Sequence, residues 1–202
     1  RRTSLLSAIR GVMAVLMPTF CWSKVRMGLL LASSRNSFRI GISSPTVNLA
    51  SLPSIVTKWG VDRICACALA RNHHRSPTRI VGVVSAHATA YLDSFRAGRP
   101  VAAPVATRLA DGMACRVPEP EALEMIRREV DDVVAVADAE VAAAMRLLFS
   151  ATHNVAEGAG AAALAALLQQ RARWSGCSAG VVISGGNVDR DVYARVLAGE
   201  DR

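Results

Sequence analysis

The stretch AGVVISGGN, residues 179–187, predicts a buried β-strand that ends in a polar, glycine-rich turn. Residues 179–183 are all apolar, and Asp189 shortly afterwards suits the start of a helix. In open α/β sheets, ligands bind at the carboxyl ends of the strands, where the hydroxyl of Ser184 and the backbone of Gly185 would lie. Such a run is more often a simple turn before a capped helix. The segments upstream therefore decide which interpretation applies.

Upstream of this strand, short apolar runs alternate with amphipathic segments. RIVGVV at 79–84 and VVAV at 133–136 are rich in β-branched residues and predict buried strands. Helices are predicted over 121–130, from Asp138 through Phe149, and from Glu157 to about Trp174. This alternation predicts an α/β fold, with an open, mostly parallel sheet flanked by helices.

The first 60 residues have a different composition. Between Arg1 and Val61 there are eight Lys/Arg residues and no Asp or Glu, so the whole net charge of +8 lies there. Helix caps and regular alternation are missing from this part of the sequence, so local and global signals disagree. We therefore expect a poorly specified N-terminal segment, 1–60, followed by a C-terminal α/β domain, 61–202.

Charge and cysteine content limit the possible partners and location. The basic residues are scattered, without aromatic residues beside them for base stacking, so no nucleic-acid partner is expected. The apolar stretch 11–32 is broken by Pro18, Lys24 and Arg26, so we expect no membrane-spanning helix. A transit peptide or a signal sequence is a minor alternative for this start. The odd number of cysteines, five, without disulfide spacing indicates thiols in a cytoplasmic protein.

Two further polar motifs precede the strand at 179–183. In HNVAEGAGA, residues 153–161, Glu157 stands at the start of the long predicted helix, where a carboxylate would complement the helix dipole. In TRLADGM, residues 107–113, Asp111 precedes a glycine, which by itself is typical of a turn. Each motif alone has a purely structural explanation.

Taken in order with VGV at 81–83 and SGGN at 184–187, these motifs resemble the pyridoxal-phosphate-dependent serine/threonine dehydratases. The resemblance runs from Thr78 to Arg195. It implies the fold of the tryptophan synthase β chain, here incomplete, and pyridoxal 5′-phosphate as the cofactor. It also implies a lyase that converts threonine to 2-oxobutanoate and ammonia, or deaminates serine.

The resemblance also implies individual roles. Ser184 matches the family serine whose hydroxyl meets the pyridine nitrogen of the cofactor, and Gly185 matches the adjoining cofactor-binding glycine. Glu157 matches a residue beside the cofactor ring, and Asp111 an acidic position near the substrate pocket. Val84 stands where many members carry a glutamate that helps to bind a cation, so we expect no metal site.

The first half of the chain departs from the family pattern. The family forms its Schiff base through a lysine in the motif S-F-K, and SFR at 37–39 places Arg39 at that position. A guanidinium, with a pKa above about 12, is not a practical imine former. The phosphate-binding loop expected near 57–66 has one glycine, and the two lysines of the chain, Lys24 and Lys58, lie outside an S-F-K context.

Three functions therefore remain open. The first is a truncated remnant of a dehydratase, with lost or crippled catalysis. The second is a diverged but active enzyme that takes a small amino acid as substrate. The third is a non-catalytic partner subunit that packs against an intact homologue. For each of them, apolar surface left uncovered by the missing half predicts self-association or a homo-oligomer.

Overall fold

The computed structural model describes residues 11–16, 28–33, 39–43 and 62–200. The strands in these residues are β1 (Gly11–Leu16), β2 (Gly28–Ser33), β3 (Arg39–Ser43), β4 (Arg79–Ser85), β5 (Asp132–Val136) and β6 (Ser178–Ile183). The α-helices are α1 (Asp62–His73), α2 (Ala90–Ala97), α3 (Pro120–Glu129), α4 (Asp138–Thr152), α5 (Gly158–Gln169) and α6 (Arg190–Leu197). A short 3-10 helix covers Asp111–Met113.

The strands form one open sheet in the order β3-β2-β6-β1-β4-β5. The pairs β6–β1, β1–β4 and β4–β5 are parallel, whereas β2 pairs antiparallel with both β6 and β3. The predicted α/β fold with a mostly parallel sheet flanked by helices is therefore confirmed. The carboxyl ends of β6, β1, β4 and β5 all face the same edge of the sheet.

Three of these strands come from the first 60 residues, where the sequence patterns predicted none. β1 lies between β4 and β6, with Ala14 opposite both Val81 and Val181. β2 covers the other side of β6, with Leu30 opposite Val181. The strands β4 and β6, with which β1 and β2 pair here, lie far away in the chain, so no pattern within the first 60 residues reveals these pairings.

Buried side chains form one cluster on each face of the sheet. Val81, Val83 and Val181 point to the face covered by α4, α5 and α6. Ile80 and Val84 point to the other face, which α1, α2 and α3 cover. Successive residues of a strand face opposite sides. Burial on both faces explains why these strands have continuous apolar sequences instead of alternating ones.

Helix α5 is the central helix of the first of these faces. It packs against α4 and against β1, β4, β5 and β6. All of its residues from Gly158 to Leu167 are buried. Its composition of glycine, alanine and leucine suits such close approach to a sheet. The helix ends at Gln169, about five residues earlier than the sequence predicted, and turns follow as far as Gly176.

Two features bear on the environment of the chain. None of the helices in the described residues combines the length and the apolar character needed to cross a bilayer. The cysteines of the described residues, Cys65, Cys67, Cys115 and Cys177, are thiols and form no disulfide with one another. The segment considered as a transit peptide or signal sequence lies largely outside the described residues.

Candidate functional site

Ser184 follows the last residue of β6, at the carboxyl edge of the sheet. Its residue surface is only 3% exposed, and its Oγ has no hydrogen-bond partner. A buried hydroxyl without a partner costs about 1–3 kcal/mol. Within the described residues, only the hydroxyl of Tyr193 shares this condition. The unpaired Oγ of Ser184 is therefore suited to meet a polar atom that is not part of the chain.

The turn that follows Ser184 lies directly on the start of α5. The backbone N–H of Glu157 donates to the carbonyl oxygen of Gly185 at 3.1 Å. A Cβ on Gly185 would overlap the Glu157 carboxylate, whose Cδ would be 2.7 Å away. A Cβ on Gly160 would in turn collide with the backbone of Gly185. The glycines therefore allow a close contact that brings Ser184, Gly185 and Glu157 together.

Asp111 belongs to a turn that packs on the same end of α5. The carbonyl carbon of Leu109 would be 2.6 Å from a Cβ on Gly158, and Ala159 Cβ would be 3.0 Å from one on Gly112. The carboxylate of Asp111 is on the exposed side of this turn, where it accepts a hydrogen bond of 2.8 Å from the N–H of Gly112. The structure thus places Asp111 and Glu157 on two segments in direct contact.

Arg39 lies at the opposite edge of the sheet. It pairs with Ser33 at the end of β2, and the neighbouring residue of β2, Ala32, pairs with Ala179 near the start of β6. Ser184 lies beyond the other end of β6. At about 3.3 Å per residue, the two positions are roughly 20 Å apart along the strand direction. The structure does not bring Arg39 together with Ser184.

Other predicted features of the site fall outside the description or in the core. Lys24 and Lys58 lie outside the described residues, as do residues 57–61 of the phosphate-binding loop expected near 57–66, and residues 62–66 belong to α1. Val84, at the position of the expected cation ligand, is 3% exposed and packs in the cluster that contains Ile64. In the part of the chain that the structure describes, no three His, Cys, Asp or Glu side chains are grouped to hold a metal ion.

Residues 60–185 match the family described as "Pyridoxal-phosphate dependent enzyme". The chain belongs to this family. The matched range includes Asp111, Glu157 and Ser184 and ends at Gly185. It covers β4, β5 and β6 and every described helix except α6.

Named relatives support the same family. The L-threonine ammonia-lyase of Geobacter sulfurreducens is 39% identical over 145 residues, which cover 70% of this chain and 36% of that protein. The crystal structure of a threonine deaminase from T.th. is similar with a TM-score of 0.58 and 33% identity, over 62% of this chain and 46% of that one. Processed threonine deaminase isoform 2 of Solanum lycopersicum shares the fold, with a TM-score of 0.67 at 20% identity, over 96% of this chain and 46% of that one. The chain thus spans less than half the length of each.

The cofactor of this family is pyridoxal phosphate. The turn at Ser184 and Gly185 fits its pyridine ring. The unpaired Oγ of Ser184 can hydrogen-bond to a pyridine nitrogen, and Gly185, which has no side chain, leaves room for the Glu157 carboxylate next to it. Glu157 would lie beside the ring. When bound, the cofactor supplies an electron sink, and a neutral hydroxyl at its nitrogen keeps that sink weak, as suits β-elimination.

Local sequence patterns did not reveal Thr107 or the role of Asp138. The sequence predicted a helix from Asp138 through Phe149, in which Asp138 would cap the start, but the residue before the helix is Ala137 and Asp138 is the first helical residue. The Asp138 carboxylate instead accepts hydrogen bonds from Thr107 Oγ1 and from the N–H of Arg108, both at 2.9 Å. The partners are about thirty residues apart, so no local spacing signals the contact.

Proposed function

We propose that Ser184, Gly185 and Glu157 form the ring-binding corner of a pyridoxal-phosphate site of the threonine/serine ammonia-lyase type. In this chain, catalysis at that site is lost or crippled. The observation that carries the proposal is the buried, unpaired hydroxyl of Ser184 beside Gly185 and Glu157. The full reaction of this type converts threonine to 2-oxobutanoate and ammonia. The chain's own residues would bind and orient the ring and shield it from water.

The sequence context of the two lysines and the location of Arg39 support the proposed loss of catalysis. An ammonia-lyase of this type needs a lysine amine both as covalent attachment point and as carrier of the α-proton. The chain has two lysines, and neither stands in an S-F-K context. Arg39, which occupies that context, is at the sheet edge remote from Ser184. A remnant that keeps one corner of the site without its lysine accounts for both observations.

A visible absorption titration of the purified chain with pyridoxal phosphate tests this proposal. We expect weak binding that protects the chain from thermal unfolding, without an imine band, and no ammonia release from threonine or serine. Ser184→Ala should weaken binding about tenfold, the effect of losing one hydrogen bond. Ser150→Ala, at an exposed position on α4, is the control.

Two outcomes would contradict the proposal in different ways. If the wild-type chain neither binds the cofactor nor gains thermal stability from it, the ring-binding corner is not a cofactor site. If borohydride fixes the cofactor on Lys24 or Lys58 and the chain releases ammonia from threonine, catalysis is intact. Peptide mass spectrometry after reduction identifies the modified lysine.

A non-catalytic partner subunit is the second candidate. Four large apolar side chains of the described residues are notably exposed: Val117, Phe149, Val155 and Leu197. Phe149 packs on Tyr193 of α6 and Leu197 lies one turn after that tyrosine, and exposed apolar side chains on neighbouring helices suit contact with another protein chain. Co-expression with an intact threonine ammonia-lyase, followed by size-exclusion chromatography, tests the idea. Co-elution in a fixed ratio would favour a partner subunit, and separate elution would favour the remnant.

We propose the cytoplasm as the location of the chain. Thiols persist in reducing compartments, and the four described cysteines form no disulfide with one another. Fluorescence microscopy of a tagged full chain, with markers for the cytoplasm and for other compartments, would test this assignment.

A further inference from the structure

The carboxylate of Asp138 joins two distant segments of the chain. One oxygen accepts a hydrogen bond from Thr107 Oγ1 and the other accepts one from the N–H of Arg108, each at 2.9 Å. Thr107 Oγ1 also accepts a bond of 3.2 Å from the N–H of Ala110. Together these three hydrogen bonds, which we call the Asp138 clamp, fix the conformation of the turn at 107–110.

Asp138 does not serve the start of its own helix. The N–H of Ala137, the residue before α4, is bonded instead by Glu140 Oε2 at 2.8 Å. Gln169 of α5 donates to both oxygens of Glu140 and so holds that side chain in place. Because Glu140 supplies the local cap, both oxygens of Asp138 are committed to the turn thirty residues upstream.

The turn at 107–110, which the Asp138 clamp holds, packs against the start of α5. Leu109, Ala110 and Met113 are buried in the core, at 9%, 0% and 2% exposure. The backbone of Leu109 leaves no room for a side chain at Gly158. Glu157, the residue before that glycine, bonds to Gly185 through its N–H. A chain of direct contacts thus runs from Asp138 through this turn to the turn that contains Ser184.

We propose that Asp138 is a positioning residue of the site, which acts through Thr107. It holds the turn with Asp111 against α5 and thereby fixes Glu157 relative to Ser184. The inference rests on the proposed function for the identity of the ligand, pyridoxal phosphate. The geometric part, the coupling of the clamp to Glu157, stands apart from any ligand.

Amide hydrogen exchange of the chain without added ligand tests the geometric part. Thr107→Val keeps the shape of the side chain and removes the hydroxyl, so the amides of Ala110 and Glu157 should exchange about tenfold faster. Thr107→Ser restores the hydroxyl and should restore protection. Thr78→Val is the matched control, since Thr78 Oγ1 shares a hydrogen bond of 2.7 Å with Ser76 Oγ just before β4, at the end of the sheet away from the clamp.

Cofactor titration of the same variants tests the consequence for the site. We expect Thr107→Val to weaken pyridoxal phosphate binding about tenfold, Thr107→Ser to bind as the wild type does, and Thr78→Val to leave affinity unchanged. Asp138→Asn should weaken binding in the same direction as Thr107→Val.

The possible failures are distinguishable. If the wild type binds no pyridoxal phosphate, the proposed function fails, and exchange at Glu157 alone decides the inference. Equal exchange at Glu157 in Thr107→Val, Thr107→Ser and the wild type would overturn it. Equal loss of affinity in Thr107→Val and Thr78→Val would also overturn it, because that result indicates general destabilisation.

Discussion

The buried serines Ser94 and Ser184 differ in how their hydroxyls are bonded. Ser94 Oγ accepts from the N–H of Val101 at 2.7 Å and donates to the carbonyl oxygen of the same residue at 3.2 Å. Ser184 Oγ has no such partner. The stability of the fold therefore depends on the first hydroxyl, whereas the second imposes a cost that only a ligand would recover.

Replacing each serine by alanine should change stability in opposite directions. We expect Ser94→Ala to lower the free energy of unfolding by about 1–3 kcal/mol, because two buried backbone groups of Val101 lose their partner. Ser184→Ala should leave it unchanged or raise it by up to about 1 kcal/mol, because an unpaired hydroxyl is removed from the core. Urea unfolding of both variants provides the measurement. Equal destabilisation would mean that Ser184 is bonded within the fold.

The sequence pointed to candidate site residues only where a short local motif contains them. Ser184 and Gly185 stand at the end of an apolar strand, and Glu157 stands at the start of an apolar helix, so each was found from its immediate neighbours. The bond between Thr107 and Asp138 has no such signal. Its geometry depends on the packing of α4 against α5 and on the buried turn between them.

At the level of elements, the start of α5 shows that packing can outweigh intrinsic helix propensity. Alanine is favoured over glycine in a helix by about 1 kcal/mol, so propensity alone predicts that Gly158→Ala would stabilise the chain. The backbone of Leu109 occupies the space that the new methyl group would need. Overpacking against backbone costs about 1–3 kcal/mol and exceeds the gain.

We therefore expect Gly158→Ala to lower the unfolding free energy by up to about 2 kcal/mol, the difference between the two effects. Thermal and urea unfolding measure it. Ala143→Gly, at an exposed position of α4, isolates the propensity effect and should cost about 1 kcal/mol. Stabilisation by Gly158→Ala would show that the turn at Leu109 moves away from α5 without cost.

The contact between α1 and α3 depends on a carboxylate at the end of α3. Glu129 accepts hydrogen bonds from Arg128 at 2.8 Å and from Asn72 at 2.6 Å, and pairs with Arg71 at 3.1 Å. The bond from Arg128, followed by that from Asn72, lowers the pKa of Glu129 below its usual value of 4.5. The folded state therefore favours the ionised form more than the unfolded chain does.

This shift predicts a pH dependence for the Glu129 contribution. Because the folded pKa is lowered, the stabilisation is present above about pH 4.5 and is lost as the pH falls through the folded value. Glu129→Gln should cost up to about 1 kcal/mol at pH 7 and reduce the acid sensitivity of unfolding below pH 4.5. Glu124→Gln, at an exposed position one turn earlier, is the control. Parallel pH profiles for wild type and Glu129→Gln would contradict the assignment.

For the whole molecule, sequence predicted the fold from Arg79 onward and missed the first strands. β4, β5 and β6 are β-branched and alternate with helices, so their type and order follow from local pattern. β1 and β2 are short apolar runs with fewer β-branched residues than β4, and their pairing depends on strands that occur much later in the chain. Pairing between strands so far apart in the chain produces no local periodicity in the sequence.

Exposed apolar side chains predict how the whole chain behaves in solution. Phe149, 37% exposed, packs edge-to-face on Tyr193, and Leu197, also 37% exposed, follows one turn later on α6. We expect concentration-dependent self-association in multi-angle light scattering, because apolar surface on neighbouring helices favours burial in a contact. The double variant Phe149→Ser/Leu197→Ser should shift the chain towards monomer. A sharp monomer peak of the wild type at high concentration would contradict this expectation.

The position of β6 between β1 and β2 has a consequence for synthesis on the ribosome. Residues 11–14 and 28–32 pair with residues 178–183, so the centre of the sheet cannot close until residues 178–183 have been translated. Until then, β1 and β2 leave the exit tunnel with unpaired backbone edges, which are templates for pairing with other nascent chains. A chain built in this order would depend on chaperones that hold its first strands until the last one emerges.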